Sequence, residues 1–281
     1  MKKIGLIMGF ILTVFVFTAC ELTVVTPIIT PSGEYDVRTF EMDAFTEFRL
    51  GGSFDVVFRY GEDHRVTLEM PENLFDYIEK SVNRGVLNIG VRSGVGIEFG
   101  NSRPQVTIYA PLLESVHLSG SGAGTNWDFI TATDFTIQTS GSSRLEINLS
   151  ADNLEMTTSG SSTVNLNATV ENGEITASGA SNILGELNTN TLEIVGSGSV
   201  NVALTGIGQT VDLRLSGAAL FDGFDMAIYD GTVNISGSTN VYIYTSQSLD
   251  VNASGASSVT YLGNPTVTQR MSGSASVERG E

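Results

Sequence analysis

The sequence predicts an all-β protein: a right-handed parallel β-helix, a solenoid of coils of about 19 residues, with one short N-terminal helix. Two observations carry this prediction. The pair Ser-Gly recurs nine times at separations of 18 to 21 residues, and apolar and polar residues alternate on both sides of most pairs, as in strands with one buried face. Units this short cannot bury an apolar face alone, so they must stack. The right hand follows from the crossover preference of parallel strands.

The first 19 residues form a predicted lipoprotein signal peptide. Lys2 and Lys3 precede an apolar run over residues 4–17, which is too short for a membrane span. Cys20, the single cysteine, follows Phe17-Thr18-Ala19 at the expected cleavage point. This arrangement resembles a bacterial lipobox, in which the cysteine is acylated. We therefore expect the chain to be lipid-anchored in the bacterial cell envelope, on the exported side of the membrane. The alternative is a cleaved signal with an ordinary free or buried thiol.

The rest of the chain divides into a tether and one domain. Residues 20–38 contain Pro27, Pro31 and Gly33 and are interpreted as a tether. Residues 39–281 form a single predicted β-helix domain, irregular over 39–117 and built of Ser-Gly coils over 118–281. Without a second cysteine, this domain has no internal disulfide.

The irregular part combines strands with the predicted helix. Strands are predicted at residues 54–60, 66–70, 86–91 and 106–109 from their apolar alternation. In the segment 71–82, Pro71 opens a run with Leu74, Ile78 and Val82 at four-residue steps, and Gly85 follows it. This spacing predicts a short helix. A helix here would cap one end of the solenoid, and a loop along its side is the alternative.

Each Ser-Gly pair is interpreted as a corner between two strands. Glycine supplies the backbone freedom that a corner needs, and stacking places the serine hydroxyls in a file along the solenoid. The residues four before and four after each glycine should be buried. A ligand-binding strip along the serines is the functional alternative. The predicted corners are Ser119-Gly120, Ser140-Gly141, Ser159-Gly160, Ser178-Gly179, Ser197-Gly198, Ser216-Gly217, Ser236-Gly237, Ser254-Gly255 and Ser272-Gly273.

The order of segments resembles a known family. The runs GGSFDVVFRYG, PENLFDYIEKSVNRGVLNIGV and VTIYAP, followed by serial Ser-Gly units and VTYLGNP, are similar to the putative auto-transporter adhesin head GIN domain family. The resemblance covers residues 40–277. It implies an exported bacterial protein, often a lipoprotein, whose biochemical role is unassigned, and the family name implies adhesion. The family's usual corner, Ser-Gly-Ser-Gly-Asp-Ile, is altered here, since Ser143, Ser162 and Ser181 replace the second glycine.

Composition and motifs argue against most chemistry. The 31 acidic residues outnumber the 14 basic ones, and a net charge of −17 repels nucleic acid. The serines recur in every coil, whereas a nucleophile needs one special neighbourhood, and no Gly-x-Ser-x-Gly elbow leads into a helix. His64 and His117 are therefore not expected to be catalytic. No zinc spacing, phosphate loop or dinucleotide fingerprint is present, so we expect no metal and no cofactor.

Three residues are weak candidates for ligand binding. Asp222 and Asp225 form the best carboxylate group, with no basic partner nearby in sequence. We interpret their segment as a surface turn, with a weak Ca²⁺ site as the alternative. Trp127 is either a platform for stacking a sugar or a residue packed within a turn.

These observations favour a non-enzymatic, membrane-anchored lipoprotein that acts in adhesion, ligand recognition or scaffolding. Its expected partners are the membrane, through the lipid, and a glycan or another envelope protein. A carbohydrate-active β-helix enzyme, of the polysaccharide lyase or hydrolase type, is the first alternative, and a purely structural envelope component is the second. An unbroken lateral groove with three or more carboxylates and an arginine would favour the enzyme, whereas apolar or aromatic patches on one face would favour binding.

Overall fold

The computed structural model describes residues 28–100 and 102–281, which are almost entirely strands. The predicted signal peptide, Cys20 and the start of the predicted tether lie outside the described residues. Within the described part, no helix is both long and apolar enough to cross a membrane.

The irregular N-terminal part contains nine strands and one short 3-10 helix. The strands predicted there are all present, with bounds within one residue of those expected. The elements are β1 (Ile28–Ile29), β2 (Tyr35–Glu41), β3 (Glu47–Gly52), β4 (Asp55–Tyr60), β5 (Arg65–Pro71), the 3-10 helix η1 (Glu72–Tyr77), β6 (Ile78–Asn83), β7 (Val86–Val91), β8 (Gly96–Ile97) and β9 (Gln105–Ala110).

The repeat forms a parallel β-solenoid, which with the first coils makes about nine turns. Each strand pairs in parallel with the strand one coil further on. The strands are β10 (Ser115–Gly120), β11 (Ala123–Gly124), β12 (Ile130–Thr139), β13 (Arg144–Thr158), β14 (Thr163–Gly179), β15 (Asn182–Gly198), β16 (Asn201–Gly217), β17 (Leu220–Ile235), β18 (Asn240–Ala253), β19 (Ser258–Leu262), β20 (Thr266–Met271) and β21 (Ser276–Arg279).

The two predicted core columns are buried along most of the solenoid. Equivalent residues of successive coils pair directly, so that Ile183 lies between Val164 and Val202. All three are fully buried. The pattern weakens in the last coil, where Gln269 is exposed. An apolar residue in every coil at the same register therefore builds one continuous core.

Each coil has a second corner opposite the Ser-Gly corner. The alternation of burial breaks there at two adjacent exposed residues, for example Glu171 and Asn172 in β14. Polar side chains bond from coil to coil at this corner: Asn153 Nδ2 donates to Asp134 Oδ1 over 2.7 Å, and Asn172 Nδ2 donates to Asn153 Oδ1 over 3.0 Å. The residues between a Ser-Gly corner and the second corner of the same coil are called the first arm. The residues between that second corner and the next Ser-Gly corner are called the second arm.

Antiparallel strands close the N-terminal end. β3 and β4 form the two arms of a coil that pairs with β10 and β11 on one side and with β7 and β9 on the other. Beyond them, β6 pairs antiparallel with β7, while β5 pairs with β9 and β2 pairs with β5, both antiparallel. η1 connects β5 to β6 across this end, and its Leu74 and Phe75 are buried in the core.

The predicted helix at residues 71–82 is wrong in its type and length. Only Glu72–Tyr77 is helical, as a short 3-10 helix, and Ile78–Asn83 is strand β6. Arg84 and Gly85 have φ of 53° and 78°, which is the conformation of a two-residue hairpin turn between β6 and β7. Gly85 is therefore a hairpin residue and not a helix stop. The segment does lie at the end of the solenoid, where a cap was expected.

The predicted tether is too long. β1 pairs with β8, and β2 pairs along its whole length with β5. Between them, Asn73 of η1 donates to the Thr30 carbonyl over 2.9 Å and accepts from the Ser32 amide over 2.8 Å. Residues 28–38 thus belong to the folded domain, because their backbone groups are paired with it.

Candidate functional site

The Ser-Gly corners form a continuous backbone ladder. All nine corner glycines have φ between +72° and +94°, a region that disfavours residues with a Cβ. A Cβ added to any of them would come within 3.0 Å of the carbonyl oxygen of the preceding corner glycine. That carbonyl accepts a hydrogen bond from the next coil, as where the Ala180 amide donates to Gly160 O over 2.7 Å. Gly52, which sequence reasoning missed, begins the ladder beneath Gly120.

The hydroxyls of the corner serines make only long hydrogen bonds, whereas a second set of hydroxyls makes shorter ones. Ser119, Ser159, Ser216 and Ser254 donate to carbonyls of the preceding coil only over 3.3 to 3.5 Å. Three residues after the corner serine, five coils carry a buried hydroxyl that donates to that serine's carbonyl. Ser181, for example, donates to Ser178 O over 2.6 Å. These residues are Ser143, Ser162, Ser181, Thr239 and Ser257. Their recurrence in the sequence is the signal that could have identified them.

Trp127 is part of the core. Its side chain is 7 % exposed, and its Nε1 donates to the Val56 carbonyl over 2.9 Å. The ring packs against Phe48 and Phe58, with centroids 5.7 and 6.3 Å away. Because both its polar group and its ring are engaged within the protein, Trp127 is packed and does not present a platform for a sugar.

Asp222 and Asp225 lie in a strand and not in a surface turn. Both are exposed on β17 at a place where its pairing with β16 and β18 shifts register. They line one groove of about 450 Å³ on the first arm, together with Glu186 and Thr205. Among the described residues, no group of three or more His, Cys, Asp or Glu side chains is arranged to hold a metal ion.

A second groove lies on the second arm near the N-terminal end, and is called the Arg49 groove. Arg49 and His117 are neighbours on β3 and β10. The groove has a volume of about 450 Å³ and is also lined by the carboxylates of Glu47, Glu114, Asp134 and Glu155. It continues past Arg49 to Asn88 and Glu79. Four carboxylates with an arginine are the composition that would favour an enzyme.

The electrostatics of the Arg49 groove disfavour protonation of its histidine. Partial burial lowers the pKa of His117 below its usual value near 6.5, and the positive charge of Arg49 lowers it further. Within the described residues, Arg49 makes no ion pair. The groove therefore offers a proton acceptor and a free guanidinium, beside carboxylates, on an open face.

An aromatic pair marks the other candidate surface. Phe224 of β17 contacts Tyr242 of β18 edge to face, with centroids 5.3 Å apart. Tyr242 pairs in register with Asp222, so the rings and the carboxylate share one outer face. This is the kind of patch that would favour binding.

Comparison with solved structures shows the fold of this protein, and a family model shows its family. No curated protein matches the chain. Among solved structures, a putative lipid binding protein from Parabacteroides distasonis ATCC 8503 is similar with a TM-score of 0.72 and 20% identity, over 90% of this chain and 100% of that one. A putative adhesin from Parabacteroides merdae ATCC 43184 is similar with a TM-score of 0.71 and 20% identity, over 91% and 100%. At this identity the likeness shows the fold alone. Residues 44–186 and 174–265 match the family described as putative auto-transporter adhesin, head GIN domain, and the chain belongs to that family.

Proposed function

We propose that this protein is a lipid-anchored, non-enzymatic recognition protein of the bacterial cell envelope. The observation that carries the proposal is a solenoid with a filled interior and ordered polar outer faces, in a chain of an adhesin-like family. The interior is filled by one continuous apolar core, so ligands must bind on the outer faces. Those faces are rigid arrays of polar side chains held in register by parallel pairing, which suits recognition of an extended surface.

Net charge narrows the class of partner. At −17, the chain repels nucleic acid and other polyanions at low ionic strength. Neutral glycans and neutral or basic envelope proteins are therefore the partners that this surface favours.

The Arg49 groove supports a second candidate, a carbohydrate-active enzyme. General acid–base chemistry on a glycan needs carboxylates, or a neutral imidazole, beside the scissile bond. Glu47, Glu114, Asp134 and Glu155 with Arg49 and His117 supply such groups on one face. The same groups also suit the binding of a polymer without cleavage, so activity has to be measured directly.

One experiment separates these candidates. Purified full-length protein in detergent is incubated with insoluble neutral and acidic polysaccharides and with intact bacterial and host cells. Its pelleting is measured together with any new reducing ends or unsaturated uronate. We expect pelleting without product. Product that disappears in His117→Ala and Arg49→Ala, but persists in Arg270→Ala, would establish the enzyme instead. If the protein pellets with none of these materials, recognition is wrong and a structural role is favoured.

A further inference from the structure

The regular repeat is interrupted at one place on the first arm. The pairings of β13 with β14, β14 with β15 and β15 with β16 run without a shift of register. In β17, by contrast, Gly223 pairs with Ile243 and Ala227 pairs with Tyr244, so residues 224–226 have no partner on β18. Bulges of this kind re-aim side chains and are frequent beside binding sites.

The bulge brings a ring and two carboxylates to the same outer face. Asp222 Oδ1 accepts a hydrogen bond from the Phe224 amide over 3.4 Å, and the Phe224 ring packs on Tyr242. Asp222 and Asp225 are both exposed. We call Asp222, Phe224, Asp225 and Tyr242 the bulge site.

A groove leads from the bulge site along the first arm. The groove beside Asp222 and Asp225 shares Leu184, Gly185 and Glu186 with a neighbouring groove of about 540 Å³. The polar residues that line that neighbouring groove include Asn148, Asn165 and Asn167, together with the carboxylate of Glu146. The two together cross five strands, β13 to β17, a distance of about 20 Å at the usual strand spacing.

The lining groups define what the groove can bind. Ionised carboxylates only accept hydrogen bonds, whereas asparagine amides and the Thr205 hydroxyl both donate and accept. Neither Lys nor Arg is among the described residues that line this groove. The ligand must therefore be an extended molecule without negative charge, and it must carry many hydrogen-bond donors as well as acceptors. The half-buried aromatic pair lies beside Asp222 and adds an apolar contact next to the β17 end of the groove.

We propose that this groove binds a neutral oligosaccharide, with the bulge site as its principal subsite. Sugar hydroxyls both donate and accept, and the C–H faces of a pyranose pack on aromatic rings. A basic peptide would also satisfy the carboxylates, and its backbone both donates and accepts, so oligolysine is the competitor against which the glycan is tested. This proposal rests on the recognition function proposed above and names its site and ligand class.

The test uses an array of immobilised neutral, acidic and amino oligosaccharides together with oligolysine. Full-length protein in detergent is compared with the double variant Asp222→Asn and Asp225→Asn, and with Asp152→Asn, an exposed aspartate at the second corner. Neutral oligosaccharides should bind the unaltered protein and Asp152→Asn equally. The double variant should bind at least about tenfold more weakly, because a charged acceptor is stronger than an amide. Thermal melts of all three proteins should coincide, since the changes are isosteric and exposed.

Three results would overturn the proposal: equal neutral-glycan binding by the double variant, a preference for oligolysine, or no neutral glycan bound. Phe224→Ala supplies a second readout, because loss of the ring should weaken glycan binding while leaving oligolysine retention unchanged. If the protein pellets with cells but binds no neutral glycan, the recognition function stands and this site assignment fails. If it does neither, both are wrong.

Discussion

A single residue type, glycine at the corner, decides whether two coils can approach. Gly160 has φ of +72°, and an added Cβ would collide with the carbonyl oxygen of Gly141 below it. That oxygen cannot move away, because it accepts the amide hydrogen bond of Ser161. Corner substitutions therefore combine backbone strain with a clash against main-chain atoms.

Gly160→Val should destabilise the protein by about 3 kcal/mol or more, as the sum of strain and clash. Gly94→Val is the matched control. Gly94 also has a positive φ, +79°, but has no atom within 4 Å of an added Cβ. It should lose only about 1–2 kcal/mol from strain alone. Denaturant unfolding measures both values, and equal losses would show that stacking at the corner is not limiting.

The buried hydroxyls of the corner should matter more than the serines of the Ser-Gly pairs. Ser181 is fully buried and donates to Ser178 O over 2.6 Å. Ser181→Ala should cost about 1–2 kcal/mol, because it removes the hydrogen bond that this buried hydroxyl donates. Ser178→Ala should cost less than about 0.5 kcal/mol, since that half-buried hydroxyl makes no side-chain bond within the described residues. Thermal melts of the pair test this order, and the reverse order would contradict it.

His117 should titrate below its usual pKa near 6.5, since burial and then Arg49 both disfavour the imidazolium. Arg49→Gln should raise the pKa of His117 partway, because burial, the larger cause, remains. The unfolded chain binds the proton more readily, so this residue lowers stability as the pH falls through about 6.5 towards the folded-state pKa. NMR titration of the imidazole measures the pKa, with Arg270→Gln as control. A pKa at or above 6.5 would contradict the assigned surroundings of His117.

At the scale of the element, strand alternation decides which side chains meet the core. Ile183 on β15 points inward between Val164 and Val202, whereas Asn165 on β14 points outward. In a stack, the stability of the protein is a sum of coil terms and neighbour terms. Damage to one inward position should therefore weaken the two adjacent interfaces most.

Ile183→Asp should cost at least about 4 kcal/mol, or open the coils locally, because it buries an unpaired carboxylate. Asn165→Asp should change the free energy of unfolding by less than about 0.5 kcal/mol. Denaturant unfolding gives both values. Similar losses from the two substitutions would refute the alternation of β14 and β15.

The N-terminal elements show where local patterns mislead. Leu74, Ile78 and Val82 have helical spacing. However, Ile78, Lys80 and Val82 are also two residues apart, which places them on one face of a strand. Pairing with β7 along all six residues of β6 decides for the strand. Helical spacing over so few residues is weak against a full set of ladder hydrogen bonds.

At the scale of the whole molecule, the proposed anchor and the solenoid define how the protein is presented. The first described strand begins eight residues after Cys20, which is a short connection. If Cys20 carries the lipid, the closed N-terminal end lies near the membrane and the coils extend from it. The grooves would then face sideways, accessible to partners in the envelope.

Cys20→Ser should leave an unprocessed, unacylated precursor, because the thiol is the proposed attachment point. Metabolic labelling with a fatty acid and partitioning into detergent measure this change. Ser32→Ala, a change in a nearby residue of the folded domain, serves as the control and should label normally. If Cys20→Ser still labels and partitions, the lipoprotein interpretation is wrong.

The sequence by itself determined the parallel solenoid, its period and its inward columns. It could do so because each coil repeats one local rule: alternation, then Ser-Gly, then alternation. Four of the nine N-terminal strands, β4, β5, β7 and β9, also followed from their alternation. The antiparallel closure of the N-terminal end, the place of residues 28–38 in the domain and the buried position of Trp127 were decided only by the tertiary structure. The grooves were also decided only by the tertiary structure, since strand pairing brings together Arg49, His117 and Glu155 across more than 100 residues. The repeat follows from local sequence patterns. A site departs from the repeat, and its residues come from different coils, so they meet only when the coils stack.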